Sequence, residues 1–430
     1  MTETACIPLY TAGQVRELDR IAIEEQGIPG YELMCRAGDA LLRCIESHWS
    51  GARMVTLLCG PGNNGGDGYV LARLLRQSGR QVRVFHLSDP AQVKGAAQQA
   101  LLDYSSGPDR SEPWRGTLPE NSDLLVDAML GTGLDRKVEG VYLQAIEAMN
   151  HHRAPALAVD IPSGLQADSG RVLGCAVQAQ RTVTFIGRKR GLYTGEAVSY
   201  AGRVDFDDLG VAAGVLDRRT VDTCLIVRPP LGPLASPRWS NVHKGSFGHV
   251  LVVGGDLGMS GAIRLAGEAA ARCGAGLVSL ATRVQHAAML NAGRPELMVH
   301  GVSGRADLGV LLARATVVVV GPGLGRCDWS RELLETVLES RLPLVVDADA
   351  LNLLATEPLS RGNWILTPHP GEAGRLLGIS SGAVQRDRFA AVHRLTERFG
   401  GVAVLKGSGS LVSAEGAPTA VCNLGNPGMA

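Results

Sequence analysis

The chain has 430 residues, with 42 Lys plus Arg against 42 Asp plus Glu and only 4% aromatic residues. That length allows two or three domains with full cores. The charge balance excludes a basic nucleic-acid surface, and the scarcity of aromatic rings excludes a stacking platform for single strands.

Residues 1–8 show neither the basic segment nor the apolar stretch of a signal peptide, and no apolar run is long enough to span a bilayer. Both absences predict a cytoplasmic protein. The nine cysteines include no Cys-x-x-Cys pair, which predicts reduced thiols serving as small core hydrophobes. Apolar residues at helical spacing (Val15, Leu18, Ile21 and Ala22, then Leu33, Ala37, Ala40, Leu41 and Cys44) predict two helices within residues 11–50, broken at Gly27–Gly30.

Strands and helices then alternate. Strand 54–59 leads through a glycine-rich run, 60–68, to helix 68–78, and strand 81–87 leads to helix 91–102. Strand 123–130 continues through loop 131–137 to helix 139–150, and strand 155–160 runs into Ile161, Pro162, Ser163 and Gly164. Strand 182–185 and a β-rich stretch near 198–206 close the first half. Such alternation predicts a parallel sheet covered by helices on both faces.

Pro229, Pro230, Pro233 and Pro237 mark residues 228–240 as a linker. A second series follows, with strands 248–253, 276–281, 315–320, 344–347, 364–366 and 402–405, and helices 261–273, 330–339 and 383–399. The fold class is therefore α/β in two different domains, 1–222 and 223–430.

Polar loops gather at strand ends, where an open parallel sheet binds its ligands. The run Gly60 to Gly68 lies between a strand and a helix, a context that suits backbone N–H groups around a phosphate. It lacks the Lys-Ser/Thr ending of a nucleotide-triphosphate loop. Its fillers, Asn63, Asn64 and Asp67, suit a sugar hydroxyl or a cation instead. Asp127 ends the next strand, with Gly131–Lys137 behind it, and Asp160 ends another, with Ser163 three residues on. One such Asp alone is commonly a cap or turn residue; three polar strand ends in one domain suit an oxygen-liganded cation and a polar substrate. In the second half, Gly254–Ala262, Gly321–Gly325, Asp347–Asn352, Thr367–Glu372 and Lys406–Ser410 follow apolar runs in the same way. Lys406 beside Gly407, Ser408, Gly409 and Ser410 suits a phosphate, and His369 is held between two prolines.

Residues 8–20, the run 60–68, Leu125–Lys137 and Val159–Gly164 together resemble the N-terminal epimerase domain of bifunctional NAD(P)H-hydrate repair enzymes, over roughly residues 8–210. The resemblance implies a Rossmann-like domain acting on NADHX and NADPHX, dinucleotides hydrated at C6 of the nicotinamide ring, whose R and S forms it interconverts. It implies contacts to the dinucleotide from Asn63, Asn64, Gly65, Gly66 and Asp67, and from Gly131, Thr132, Gly133, Leu134, Asp135, Arg136 and Lys137, with Tyr142 and Asp160 completing the substrate set. Asn64, Asp127 and Ser163 are implied to surround a potassium ion. Inverting C6 needs its hydroxyl to leave and return, and general acid–base help with such a step is worth ~10²–10⁴-fold. Asp160 is the residue expected to protonate the leaving oxygen.

The second half, from about 225 to 430, resembles the dehydratase domain of the same enzymes, a relative of ribokinase-like kinases. That implies removal of water from the S hydrate with ADP and Mg²⁺, yielding NAD(P)H, AMP and phosphate. Ala262, Gly323 and His369 are implied to contact the hydrate, Lys406 to Ser410 the nucleotide, and Asn426, Pro427, Gly428, Met429 and Ala430 to begin a further nucleotide loop. The family pattern continues with a glycine-rich turn and a catalytic Asp, so the expectation is a dehydratase half incomplete at its C-terminal end and weak in activity. A homo-oligomer without nucleic-acid or membrane partners is also implied. Two competing readings are a small-molecule kinase, which leaves the first domain unexplained, and a non-catalytic nucleotide-binding scaffold, against which Asn64, Asp127, Asp160 and Ser163 argue.

Overall fold

The computed structural model describes residues 6–107, 110–211, 221–227 and 241–426. The chain divides into two compact units, one running to Val227 and the other from Arg228 to Ala420, with Val421 onward grouped with the first. The predicted linker 228–240 lies outside the described residues.

In the first unit the elements are β1 (Cys6–Leu9), α1 (Ala12–Glu24), α2 (Gly30–His48), β2 (Met54–Cys59), α3 (Asn63–Gln77), β3 (Gln81–His86), α4 (Gly95–Ser105), β4 (Glu112–Pro113), β5 (Leu124–Ala128), α5 (Gly140–His151), β6 (Ala156–Val159), β7 (Arg181–Phe185), β8 (Arg203–Asp207) and β9 (Thr223–Ile226). Seven of these strands form one sheet in the order β4-β3-β2-β5-β6-β7-β8, with every neighbouring pair parallel. The chain winds outward from β2 to β4, then returns to β5 on the other side of β2. The carboxyl ends of β2 and β5 therefore flank a topological switch point, where helices diverge and a ligand crevice opens.

Helix α3 corrects one expectation. The run 60–68 is not a loop before a helix: the helix begins at Asn63, so Asn64 and Asp67 lie one turn apart on one face of its N-terminal end. Its glycines serve close packing. A Cβ on Gly65 would stand 2.0 Å from the Gly60 carbonyl oxygen, and one on Gly66 would stand 2.6 Å from the Met34 sulfur. Beyond them Tyr69, Val70, Leu71, Ala72 and Leu75 are buried, so packing holds a segment of poor helix propensity in place. Gly65→Ala is expected to lower stability by roughly 1–3 kcal/mol through overpacking against backbone that cannot yield. A lowered urea midpoint checks it.

The cysteine expectation is also corrected. Cys6 and Cys224 form a disulfide (S–S 2.03 Å, Cα–Cα 5.7 Å) across the antiparallel pair β1–β9. Strand pairing brings together residues 218 positions apart, which spacing in the sequence could not reveal. The other seven cysteines are free. Among the described residues no helix is long and apolar enough to cross a membrane.

The second unit contains β10 (His249–Val253), β11 (Leu277–Thr282), β12 (Met298–Gly301), β13 (Val317–Val320), β14 (Leu344–Val346), β15 (Trp364–Leu366), β16 (Val402–Leu405) and β17 (Ser410–Ala414). They lie in the order β17-β16-β15-β14-β13-β10-β11-β12, parallel except for the antiparallel pair β16–β17. Here the switch point falls between β10 and β13. The helix expected over 383–399 is two, Ser381–Arg386 and Arg388–Phe399. Asp387 breaks it, because its side chain accepts from Ala390 N (2.9 Å) and caps the second helix.

Candidate active sites at the two switch points

At the first switch point, Asp127 closes β5 and is fully buried. Its Oδ1 accepts from Ser163 Oγ (2.5 Å) and Met129 N (3.2 Å), and its Oδ2 from Ser163 N (2.7 Å). Burial pushes its pKa up to about 6, against the opposing pull of these hydrogen bonds. Ser163 Oγ in turn accepts from Leu130 N (2.8 Å), while Asn64 Nδ2 donates to Leu130 O (3.3 Å). The structure thus brings Asn64, Asp127 and Ser163 into one hydrogen-bonded cluster. Asn64 Oδ1 is buried there without a hydrogen-bond partner. An orphaned buried acceptor is costly. With the Leu130 carbonyl beside it, this oxygen fits the needs of an alkali cation, a hard ion that takes amide, hydroxyl, carbonyl and carboxylate oxygens.

The turn after β6 links this cluster to a second one. Asp160 has φ +63°, a left-handed conformation that Asp tolerates better than most residues. The turn sends Ser163 toward Asp127 and Asp160 toward β7. Asp160 Oδ1 accepts from Thr184 Oγ1 (3.2 Å), Phe185 N (3.1 Å) and the ammonium of Lys189. Lys189 is only 1% exposed. Its Nζ also donates to Thr184 Oγ1 (3.1 Å) and Phe185 O (3.0 Å), so all three N–H groups of the ammonium have acceptors.

Helix α1 supplies a further carboxylate. Thr11 and Gln14 form a capping box at its start. Tyr10 N donates to Arg188 O (2.8 Å) and Arg190 N to Tyr10 O (2.9 Å), tying that start to the segment carrying Lys189. Asp19 then faces the cluster. Burial raises its pKa to about 6, with Lys189 and Arg16 pulling down and Asp160 pushing up. Asp67 is held well above the usual carboxylate range, by burial first, then by Asp160 and Asp19, with Lys189 opposing.

Neither Asp19 nor Lys189 was among the expected site residues. Asp19 did carry a signal: it is four residues from Val15 and three from Ala22, on the apolar stripe of α1. Lys189 carried none, since it lies between Arg188 and Arg190 in what reads as a solvated basic run. Among the other expected residues, Gly65 and Gly66 are buried, Asn63 is exposed, and Gly131, Thr132 and Leu134 are half-buried. Gly133, Asp135, Arg136 and Lys137 are exposed. Among the described residues Lys137 makes a surface ion pair with Glu139 (3.5 Å), an interaction of little stabilising value. Tyr142 is half-buried against the apolar cluster around Leu58, Phe85 and Ile146.

In the second unit the loops after β10 and β13 are joined by Gly255 N to Pro322 O (3.0 Å) and Asp256 N to Gly323 O (2.6 Å). A Cβ on Gly323 would stand 2.7 Å from Met259 O and 3.2 Å from Ala262 Cβ, so Gly323 and Ala262 meet at the switch point. Asp256, which burial alone would push up, is held below the usual carboxylate range by Arg283 at 2.7 Å. His369 is exposed and caps the helix Pro370–Leu377: its Nδ1 accepts from Gly371 N (2.9 Å), while Glu372 accepts from His369 N (2.8 Å). Lys406 pairs with Asp347 (2.8 Å), which also accepts from Thr367 Oγ1 (2.8 Å). Residues 406–409 are the turn between β16 and β17. The buried Arg388 supports that turn by donating to Leu405 O, Lys406 O and Gly409 O. Asn426 is exposed, and the expected nucleotide contacts at Pro427 to Ala430 lie outside the described residues.

Two largely parallel sheets, each with a polar crest at its switch point, define a two-domain α/β enzyme. Residues 30–191 match the family described as YjeF-related protein N-terminus, and residues 250–430 match NAD(P)H-hydrate dehydratase. The chain is 50% identical to the bifunctional NAD(P)H-hydrate repair enzyme Nnr of Coxiella burnetii, over 98% of this chain and 86% of that one. It is 42% identical to the enzyme of the same name from Escherichia coli, over 98% and 82%. A solved ADP/ATP-dependent NAD(P)H-hydrate dehydratase from Bacillus subtilis, co-crystallized with ATP and Mg²⁺, matches 44% of this chain and 69% of its own at 26% identity, with a TM-score of 0.38. The chain belongs to the family of bifunctional NAD(P)H-hydrate repair enzymes.

Proposed function

We propose that the first unit interconverts the R and S forms of NADHX and NADPHX, and that the second dehydrates the S form with ADP. The observation that carries the epimerase reading is the turn Asp160–Ser163. It joins an orphaned-acceptor cluster suited to a cation to a carboxylate–ammonium pair suited to proton chemistry. Asn64, Asp127 and Ser163 would hold K⁺, whose charge would fix an oxygen of the substrate beside them. Asn63 to Asp67 and Gly131 to Lys137 would flank the dinucleotide, with Tyr142 at its edge. Asp160 and Asp67 would face C6.

In the second unit, Ala262, Gly323 and His369 would line the hydrate. The Lys406–Ser410 turn would take the phosphates of ADP, and Asp347 is the carboxylate at hand for a Mg²⁺ arriving with them. A cytoplasmic location and self-association belong to the same reading.

The test is to incubate the protein with mixed R and S hydrate and an added intact dehydratase. An epimerase lets the whole pool be consumed. Survival of the R fraction would sink the epimerase reading and leave a binding scaffold.

A further inference from the structure

Asp160 Oδ1 is committed as an acceptor. A backbone N–H, a hydroxyl and an ammonium all point at it, and Lys189 has spent its three N–H groups on Asp160, Thr184 and Phe185. This is how a carboxylate is held in place as an anion. Asp67 differs in its partners: no hydrogen bond to its carboxyl occurs among the described residues, although it is half-buried as Asp160 is. It projects from the same helical face as Asn64, one turn along.

Three carboxylates, Asp19, Asp67 and Asp160, share one buried ammonium, Lys189. Arg16 is the other cation acting on the group, from the exposed side of α1. One cation cannot balance three anions in a desolvated cluster, so the arrangement retains a proton. Among the described residues Asp19 and Asp67 both lack a donor aimed at the carboxyl. Of the two it is Asp67 that stands at the switch point, one turn from Asn64 at the start of α3, where a substrate can take the proton.

We propose that Asp67 is the residue that exchanges a proton with the C6 hydroxyl of the hydrate, and that Asp160, clamped by Lys189, is the fixed anion beside it. The inference rests on the epimerase reading and deepens it. In the step, the C6–O bond breaks as the ring-nitrogen lone pair forms a double bond to C6. The oxygen takes the Asp67 proton and leaves as water, and Asp67 becomes a carboxylate. The clamped Asp160 anion offsets the positive charge that forms on the ring. Water then adds to the opposite face of C6, its electron pair forming the new C–O bond as the ring nitrogen recovers its lone pair. The proton that this water releases returns to Asp67. Atoms and charge balance without a further reactant.

The experiment measures epimerisation of the R hydrate against pH for wild type, Asp67→Asn and Asp160→Asn, together with incorporation of ¹⁸O from labelled water at C6. Asn is isosteric with Asp and tolerates the left-handed backbone at 160. Expected for Asp67→Asn is a loss of ~10²–10⁴-fold in rate and the same loss in ¹⁸O incorporation, with hydrate affinity kept and the decline in rate at high pH abolished. Asp160→Asn is expected to be slowed but to keep that high-pH decline. The reverse pattern, with the decline lost in Asp160→Asn and kept in Asp67→Asn, overturns the proposal, as does a wild-type rate in Asp67→Asn. If Asp67→Asn fails to fold, the Asp160→Asn profile still decides. A wild-type protein that leaves the R hydrate untouched defeats the epimerase reading itself, a different outcome.

Discussion

Replacing Lys189 by Met is expected to lower the stability of the first unit by about 3–5 kcal/mol, the range for breaking a buried ion pair from one side. Met matches the length of the lysine stem but supplies no charge. Asp160 then keeps its backbone and hydroxyl donors but loses the ammonium, and Asp19 and Asp67 lose the cation that opposes their mutual repulsion. Phe185 O, buried beside it, loses one of its donors and keeps Gly187 N (2.6 Å). The deficit is expected to be greatest at pH 8 and smaller near pH 5, where protonation of the carboxyls relieves the excess negative charge. Epimerisation is expected to fall roughly 10²-fold or more, because a displacement of Asp160 by about 1 Å is enough for such a loss. Lys189→Arg keeps the charge but replaces a compact three-donor group by a planar fork. It is expected to recover part of the stability and little of the rate. Urea denaturation and rate measurement on the same variants check both halves, and a Lys189→Met protein of wild-type stability at pH 8 refutes the first.

Asp19→Asn is expected to stabilise the first unit at neutral pH and to have little effect near pH 4. The folded pKa of Asp19 is raised from 3.8 to about 6, mainly by burial. A carboxyl with a raised folded pKa binds its proton more tightly in the native state. Its stabilising contribution is therefore complete below its unfolded pKa and is lost as pH rises through the folded one. The window runs from about pH 4 to pH 6, and the shift corresponds to roughly 2–3 kcal/mol. Asn has no proton to lose, so the difference between variant and wild type should open across that window and stay flat above it. Hydrogen exchange of the α1 and β7 amides, compared between the two proteins at each pH, isolates the effect. A difference that is constant from pH 4 to pH 8 would contradict the raised pKa.

Neither prediction rests on an expected site residue: Asp19 lies within the run 8–20 that carries the resemblance but has no implied role there, and Lys189 lies outside those runs. Strand β2 begins and ends where the apolar run 54–59 does, because burial on both faces of a parallel sheet selects a continuous apolar run; β15 and β16 also match their expected spans, although Ile365 of β15 is exposed. Asp127, Asp160 and Ser163 were readable as candidates because strand ends in such sheets point into one crevice. The start of α3 was not readable. Asn, Gly and Asp have poor helix propensity, and only the close approach of Gly65 to Gly60 and of Gly66 to Met34 explains why the helix begins there. His369 shows the converse: its setting between two prolines suggested a binding role, and the structure gives its Nδ1 a capping task first.

The sequence by itself determined two α/β units and the strand ends at which their polar residues cluster. Both follow from local patterns of apolar period, glycine and proline that act over a few residues. Tertiary structure alone decided which distant groups share a charge environment. Lys189 reads as one of three consecutive basic residues until the backbone bonds between Tyr10 and residues 188–190 turn it inward. Cys6 meets Cys224 only when β1 pairs with β9. Electrostatics depends on separation and burial in space, and neither can be read from positions along a chain.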